Sequence, residues 1–250
     1  MTVDLVVFGA HPDDVEFCCG GWIARAAVAG QAVVVVDATR GECATNGTPE
    51  IRAAEATAAA EVLGLAARDN LGLPDGGLSD VDPDQLAAVV GAIRRHRPTL
   101  AVAPWTEARH PDHAALGRLA QKAAFFAGLT RYRPDLGPPF RPLRWLQYPE
   151  RHDTRADLVV DVSGVYDRKW AAIRCHRSQL AGTETVLTRP VGLDLFEVRD
   201  RYWGATIGVT HGEPYLLGGP VRDARVTLTR PERHTATLAT TFTGNDGTFS

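Results

Sequence analysis

An α/β fold, a three-layer sandwich with a mostly parallel central sheet, is what this sequence of 250 residues predicts. Three observations carry that expectation. Short, continuously apolar runs rich in β-branched residues, such as Leu5 to Phe8 and Ala32 to Val36, suit strands buried on both faces of a parallel sheet. Segments with helical punctuation alternate with these runs in βαβ order. Polar clusters follow the strand ends, which is where open α/β sheets hold their ligands.

In chain order, Leu5 to Phe8 is the first strand, and His11-Pro12-Asp13-Asp14 lies just past its C-terminal end. The next helix contains Gly20 and Gly21, which let it pack close to the sheet, and Gly30 caps it. Ala32 to Asp37 is the second strand and ends in the polar segment Thr39-Arg40-Gly41-Glu42. Thr48 followed by Pro49 reads as an N-cap with proline at the first helical position, launching an alanine-rich helix to about Leu63 that Gly64 ends. Asp69 to Leu73 is a third strand, and Pro74-Asp75-Gly76-Gly77 has the chemistry of a turn. Asp82-Pro83-Asp84-Gln85 has the layout of a capping box before a helix to about Arg97.

Leu100 to Pro104 is the fourth strand and delivers the second cluster, His110-Pro111-Asp112-His113, with Pro111 starting another helix. The arginine- and proline-rich 130s and 140s form an exposed crossing segment. Trp145 to Tyr148 and Leu158 to Val162 are further strands, Val165 to Cys175 is a helix, and residues 194 to 207 are another. From about Val221 a Thr-rich alternation fits a β-hairpin or a loosely ordered tail. The expected division is therefore a domain over 1–220 and a tail over 221–250.

A net charge of −3 and a pI near 6.2 give no basic footprint for nucleic acid. The N-terminus has an early acidic residue and no basic region of a signal peptide, and no apolar stretch is long enough to span a bilayer. A cytoplasmic protein without a membrane partner is expected. Four cysteines, including the neighbours Cys18 and Cys19, make no disulfide framework and suit a reducing compartment. Cys18 and Cys19 read as small buried residues of the first helix; a thiolate metal site with His11 is the minority alternative.

The two His-Pro-Asp clusters carry the chemistry. His11 and Asp14 are close enough across their turn to converge on one cation, while the adjacent Asp13 must point elsewhere or share the ion at another angle. A catalytic zinc takes three protein ligands and keeps a position for water, so a third ligand must come from elsewhere in the chain. His110 and His113 lie near a helix N-terminus, three apart, and both can address one site. Arg52 sits in the first turn of its helix, where a cation opposes the dipole, which marks it as a functional candidate. Two rivals stand beside a metal site: a metal-free glycoside hydrolase using Asp13 with a distant carboxylate, and a non-catalytic sugar- or nucleotide-binding module. The second is weakened by a first loop that lacks GxGxxG and offers carboxylates where phosphate needs backbone donors.

AHPDD followed by GG, with HPDH about a hundred residues later, resembles the LmbE-like or PIG-L superfamily of zinc-dependent N-acetylglucosaminide deacetylases. TRGE at 39–42, NGTPEIRAAEA at 46–56, LGLPDGGL at 71–78, RHPDH at 109–113 and HRSQ at 176–179 are similar to its bacillithiol-pathway N-acetylglucosaminyl-malate deacetylase branch. The resemblance, over about residues 3–220, implies a Rossmann-like sandwich and a metal, Zn2+ or another divalent ion such as Fe2+, on His11, Asp14 and His113.

Asp13 would then be the general base, and His110 would stabilise the oxyanion, oriented by Asp112. Arg52 and Asp75 would contact the sugar, and Arg109, beside His110, is placed in sequence to meet the carboxylates of a malate aglycone. The implied substrate is a small amino-sugar conjugate, either N-acetylglucosaminyl-malate-like or an antibiotic-pathway amino sugar. The implied assembly is a trimer-based homo-oligomer. Some relatives of the mycothiol branch place an oxyanion-assisting tyrosine two residues before HPDH, where this chain has Ala108. Glu213-Pro214-Tyr215 resembles a family loop near the site, with no role attached.

Overall fold

Strand β1 (Leu5–Gly9) is buried at every residue, and its side chains divide between two cores. Leu5 and Val7 enter one apolar cluster, whereas Val6 and Phe8 enter the other. β2 (Val33–Thr39) divides in the same way, Val33 and Val35 to one side and Val34 and Val36 to the other. A strand covered on both faces has to be apolar throughout, which is why these runs were legible. The structure, a computed structural model, describes residues 3–150, 155–181 and 192–218 and the strands at 226–229 and 237–240.

The remaining elements are α1 (Asp14–Val28), α2 (Pro49–Leu63), β3 (Ala67–Leu73), α3 (Pro83–His96), β4 (Leu100–Pro104), α4 (Pro111–Phe126) and β5 (Arg144–Tyr148). They continue as β6 (Leu158–Asp161), α5 (Tyr166–Ile173), the short α6 (Arg177–Leu180), α7 (Asp194–Thr206) and β7 (Gly212–Leu217). One sheet runs β3-β2-β1-β4-β5-β7-β6, parallel from β3 to β5, with β7 antiparallel to both neighbours. α1, α2 and α5 pack together on one face, and α3 packs with α4 on the other. This is the expected three-layer sandwich. β8 (Val226–Thr229) and β9 (Thr237–Thr240) form an antiparallel pair of their own.

The strand order fixes where a site can form. The chain steps outward from β1 to β2 to β3, then crosses back to lay β4 on the other side of β1. At such a reversal the loops after the two central strands diverge and leave a crevice at their C-terminal ends. Both His-Pro-Asp clusters lie at this crevice.

Local chemistry explains the helix starts. The Thr48 hydroxyl accepts from Ile51 N at 3.4 Å ahead of Pro49, and Gly64 ends α2 with φ +77°. The Asp82 carboxylate accepts from Asp84 N and Gln85 N, but the second half of the expected capping box does not form. Gln85 instead accepts from Ser79 N and donates to Gly77 O, because the turn before α3 offers it nearer partners. Two close approaches need glycine. A Cβ at Gly21 would overlap Val162, and one at Gly117 would overlap the Pro104 carbonyl, so α4 lies directly against the end of β4.

Two expectations change. Glu213-Pro214-Tyr215 is not a loop at the site but part of strand β7. Fully buried Glu213 accepts from Gly21 N, Trp22 N and Lys169 Nζ, each at 2.7 to 2.8 Å, and Lys169 also meets Asp200, so this charge cluster ties α1, α5 and α7 to the sheet. Cys18 and Cys19 are buried on α1, and burial pushes the Cys18 thiol up to about 12, opposite to what a thiolate ligand needs. Among the described residues, no helix is long and apolar enough to cross a membrane.

Candidate active site

The first cluster hangs from the end of β1. His11 N donates to Asp14 Oδ2 at 2.8 Å, and Asp14 N donates back to His11 O at 3.3 Å, closing the turn on itself. Asp13, between the turn and α1, has φ +136° and ψ −28°, a backbone region that side chains with a Cβ rarely occupy. Such strain persists only where surrounding contacts enforce it. Here the enforcing group is buried Arg52, which donates to Pro12 O at 2.6 Å, to Asp13 Oδ1 at 3.2 Å and to Gly41 O at 3.3 Å. Its Nε is left without a partner among the described residues.

The second cluster starts α4 in relaxed geometry. His110 is the N-cap, with φ −75° and ψ +128°, and its Nδ1 accepts from Asp112 N at 3.2 Å. The neutral ring therefore carries its proton on Nε2 and offers an N–H. Burial and the neighbouring His113 and His11 lower the His110 pKa, which keeps the ring neutral at pH 7. Within the same first turn of α4, His113 faces the crevice.

Three donor atoms meet there. His11 Nδ1 is 3.2 Å from His113 Nε2 and 3.5 Å from Asp14 Oδ2, and His113 Nε2 is 3.2 Å from the same Asp14 oxygen. Ligands about 2.0 to 2.1 Å from a tetrahedral zinc stand about 3.3 Å apart, so the triangle has the size of one face of such a site. The protonation balance agrees. Burial alone would lower the pKa of His11, but Asp112, Asp14 and Asp75 raise it to about 12; against the same burial, Asp14 and Glu150 raise that of His113 to about 10. The pocket thus demands positive charge. Two protonated nitrogens cannot face each other at 3.2 Å, whereas two lone pairs can share one cation. His11, His110 and Asp112 form a second metal-capable group on the side of the other His11 nitrogen, Nε2, which faces Asp112 at 3.2 Å and Asp75 at 3.0 Å.

Around the triangle, Asp13 stays off the cation face, and burial pushes its pKa up to about 6 against the opposing pull of Arg52. Asp112 corrects an expectation. Its carboxylate makes no hydrogen bond to the His110 ring among the described residues; it accepts from Gly76 N at 2.8 Å and Leu78 N at 3.2 Å and faces His11. The turn geometry of α4 sends the Asp112 backbone to His110 and its side chain the other way. Asp75 also reaches His11, and its Oδ2 accepts from Cys43 N at 2.8 Å. Arg109 is exposed beside His110.

One residue escaped the sequence reading. Glu150, just past β5, hydrogen-bonds His113 Nδ1. Its signal was available: it is an acid two residues beyond the end of strand β5, whose last three residues are buried. A cleft of about 420 Å³ between α2 and β3 shares Pro12 with the turn and is lined by no residue of the triangle.

Residues 6–124 match the family model described as PIG-L: GlcNAc-PI de-N-acetylase. A probable N-acetyl-alpha-D-glucosaminyl L-malate deacetylase 2 from Bacillus cereus is 30% identical over 195 residues, covering 73% of this chain and 84% of the relative. A 4-oxalmesaconate hydratase from Pseudomonas putida is 30% identical over 194 residues, covering 70% of this chain and 73% of the relative. Among solved structures, the conserved protein TT1542 from Thermus thermophilus superposes with a TM-score of 0.81 at 41% identity, over 88% of this chain and 97% of that one.

Proposed function

The chain belongs to the PIG-L family, and on that premise we propose that it is a metal-dependent N-deacetylase acting on a small N-acetylglucosamine-containing conjugate. The observation that carries this reading is the triangle of His11 Nδ1, Asp14 Oδ2 and His113 Nε2, drawn from two strand ends at 3.2 to 3.5 Å. These residues would hold a divalent ion, with Zn2+ as the proposed metal. Such an ion supplies a water with a pKa of about 7 and polarises the acetyl carbonyl.

The protein's own groups do the rest. The Asp13 carboxylate, poised near neutrality and held by Arg52, takes a proton from the attacking water and returns it to the departing amine. His110 aims its Nε2–H at the carbonyl oxygen as charge builds there. The amide C–N bond breaks, acetate leaves, and the free amine remains on the sugar. The unpartnered Nε of Arg52 and the carboxylate of Asp75 are proposed for the sugar hydroxyls, and Arg109 for an anionic aglycone such as malate. Cytoplasmic location, a role in thiol biosynthesis and a trimer-based assembly complete the proposal; the four free cysteines support the first.

The test is acetate release from a panel of N-acetylglucosaminyl conjugates, with Zn2+ and after complete chelation. Release that depends on metal supports the reading; sugar cleavage without acetate after chelation sinks it. The Pseudomonas putida relative, equal in identity to the deacetylase, favours a second reading, water addition to an unsaturated acid. Loss of conjugated absorbance in an unsaturated dicarboxylate, with no acetate released from any sugar, would select it.

A further inference from the structure

We infer that Asp75 is a positioning residue that fixes the orientation of the metal ligand His11; this rests on the metal-site reading above. An acid serving only sugar hydroxyls would present free oxygens to the crevice. Both oxygens of Asp75 are instead engaged inside the protein, and its side chain is only 7% exposed. Oδ1 stands 3.0 Å from His11 Nε2, and Oδ2 accepts from Cys43 N at 2.8 Å. The backbone is tied as well. Asp75 N donates to Glu42 Oε1 at 3.0 Å, and Asp75 O accepts from the Cys43 thiol at 3.3 Å.

The geometry of the ring gives this contact its consequence. An imidazole that donates from one nitrogen keeps a lone pair on the other. With Nε2 hydrogen-bonded to Asp112 at 3.2 Å and facing the Asp75 carboxylate at 3.0 Å, the lone pair of His11 lies on Nδ1, the atom that faces His113 and Asp14. The turn at 74–78 supports both carboxylates. It carries Asp75 itself and, through Gly76 N and Leu78 N, cradles Asp112. So the loops after β2 and β3, which contribute no ligand, brace the metal ligand at the end of β1.

The test compares Zn2+ affinity by chelator competition for the wild type, Asp75→Ala and Asp75→Asn, together with ring nitrogen NMR signals of His11 in the zinc-loaded protein and KM for the sugar. Losing such a carboxylate partner typically weakens metal binding about 10- to 100-fold. Asp75→Ala is expected to show that loss with a broadened His11 signal, and Asp75→Asn, which keeps an acceptor oxygen, to recover most of the affinity. Wild-type Zn2+ affinity in both variants with a raised KM would overturn the inference and leave a sugar contact only. A wild-type protein that binds no Zn2+ would overturn the metal reading itself.

Discussion

The two His-Pro-Asp turns are nearly the same in sequence and opposite in construction. In the first, Asp13 is forced to φ +136° and held under Arg52, and His11 and Asp14 on either side of it meet His113 across the crevice. In the second, His110 is an ordinary N-cap, Asp112 is helical, and only His113 reaches the triangle. The letters at matching positions therefore do different work. Backbone conformation, set by what each turn packs against, decides which side chain joins the triangle, which is held by Arg52 and which caps a helix.

The comparison breaks most completely if the triangle is not the metal site. His11→Ala and His113→Ala are each expected to lose bound metal and activity together, checked by metal analysis and acetate release. Asp13→Asn should instead keep the metal and lose about 10²- to 10⁴-fold in kcat, the usual worth of a general base. Metal loss in that variant would erase the difference assigned to the neighbours Asp13 and Asp14. His110→Ala should retain metal and fall about 10²-fold in kcat with little change in KM, because its N–H acts on charge that develops in the transition state. Arg109→Ala should leave methyl glycosides unaffected while raising KM for a malyl glycoside about 2- to 5-fold, the worth of one exposed charge contact of about 0.5 to 1 kcal/mol.

A similarly small effect tests the backbone contrast itself. At position 13 a glycine relieves the positive φ that alanine keeps, so Asp13→Gly should be about 1 kcal/mol more stable than Asp13→Ala in thermal unfolding. At position 112, inside the first turn of a helix, the order should reverse by about 0.5 to 1 kcal/mol. The same order at both positions would mean that the first turn is not strained.

What was legible in the sequence follows the range of the forces involved. β1, β2, β4 and the start of α2 were readable because burial on two faces and capping act over a few residues. That His11, Asp14 and His113 could converge was readable because two His-Pro-Asp clusters follow two buried strands. Glu150 carried a positional signal as an acid just past a strand end, but its pairing with His113, the turn of Asp112 toward His11 and the contact of Asp75 with the same ring were not readable, since each depends on loops brought together by the sheet. Lys169, Asp200 and Glu213 look like surface charges in sequence, and only the packing of α5, α7 and β7 makes them an internal cluster.

Gly117 gives this architecture an unexpected sensitivity. It sits one helical turn beyond His113, on the stretch of α4 that rests against the Pro104 carbonyl. With only a hydrogen atom at this position, the helix that carries His113 can lie against the end of β4. A Cβ there would overlap that carbonyl, so either the start of α4 or the end of β4 would have to shift. The placement of His113 thus depends partly on a residue outside the triangle.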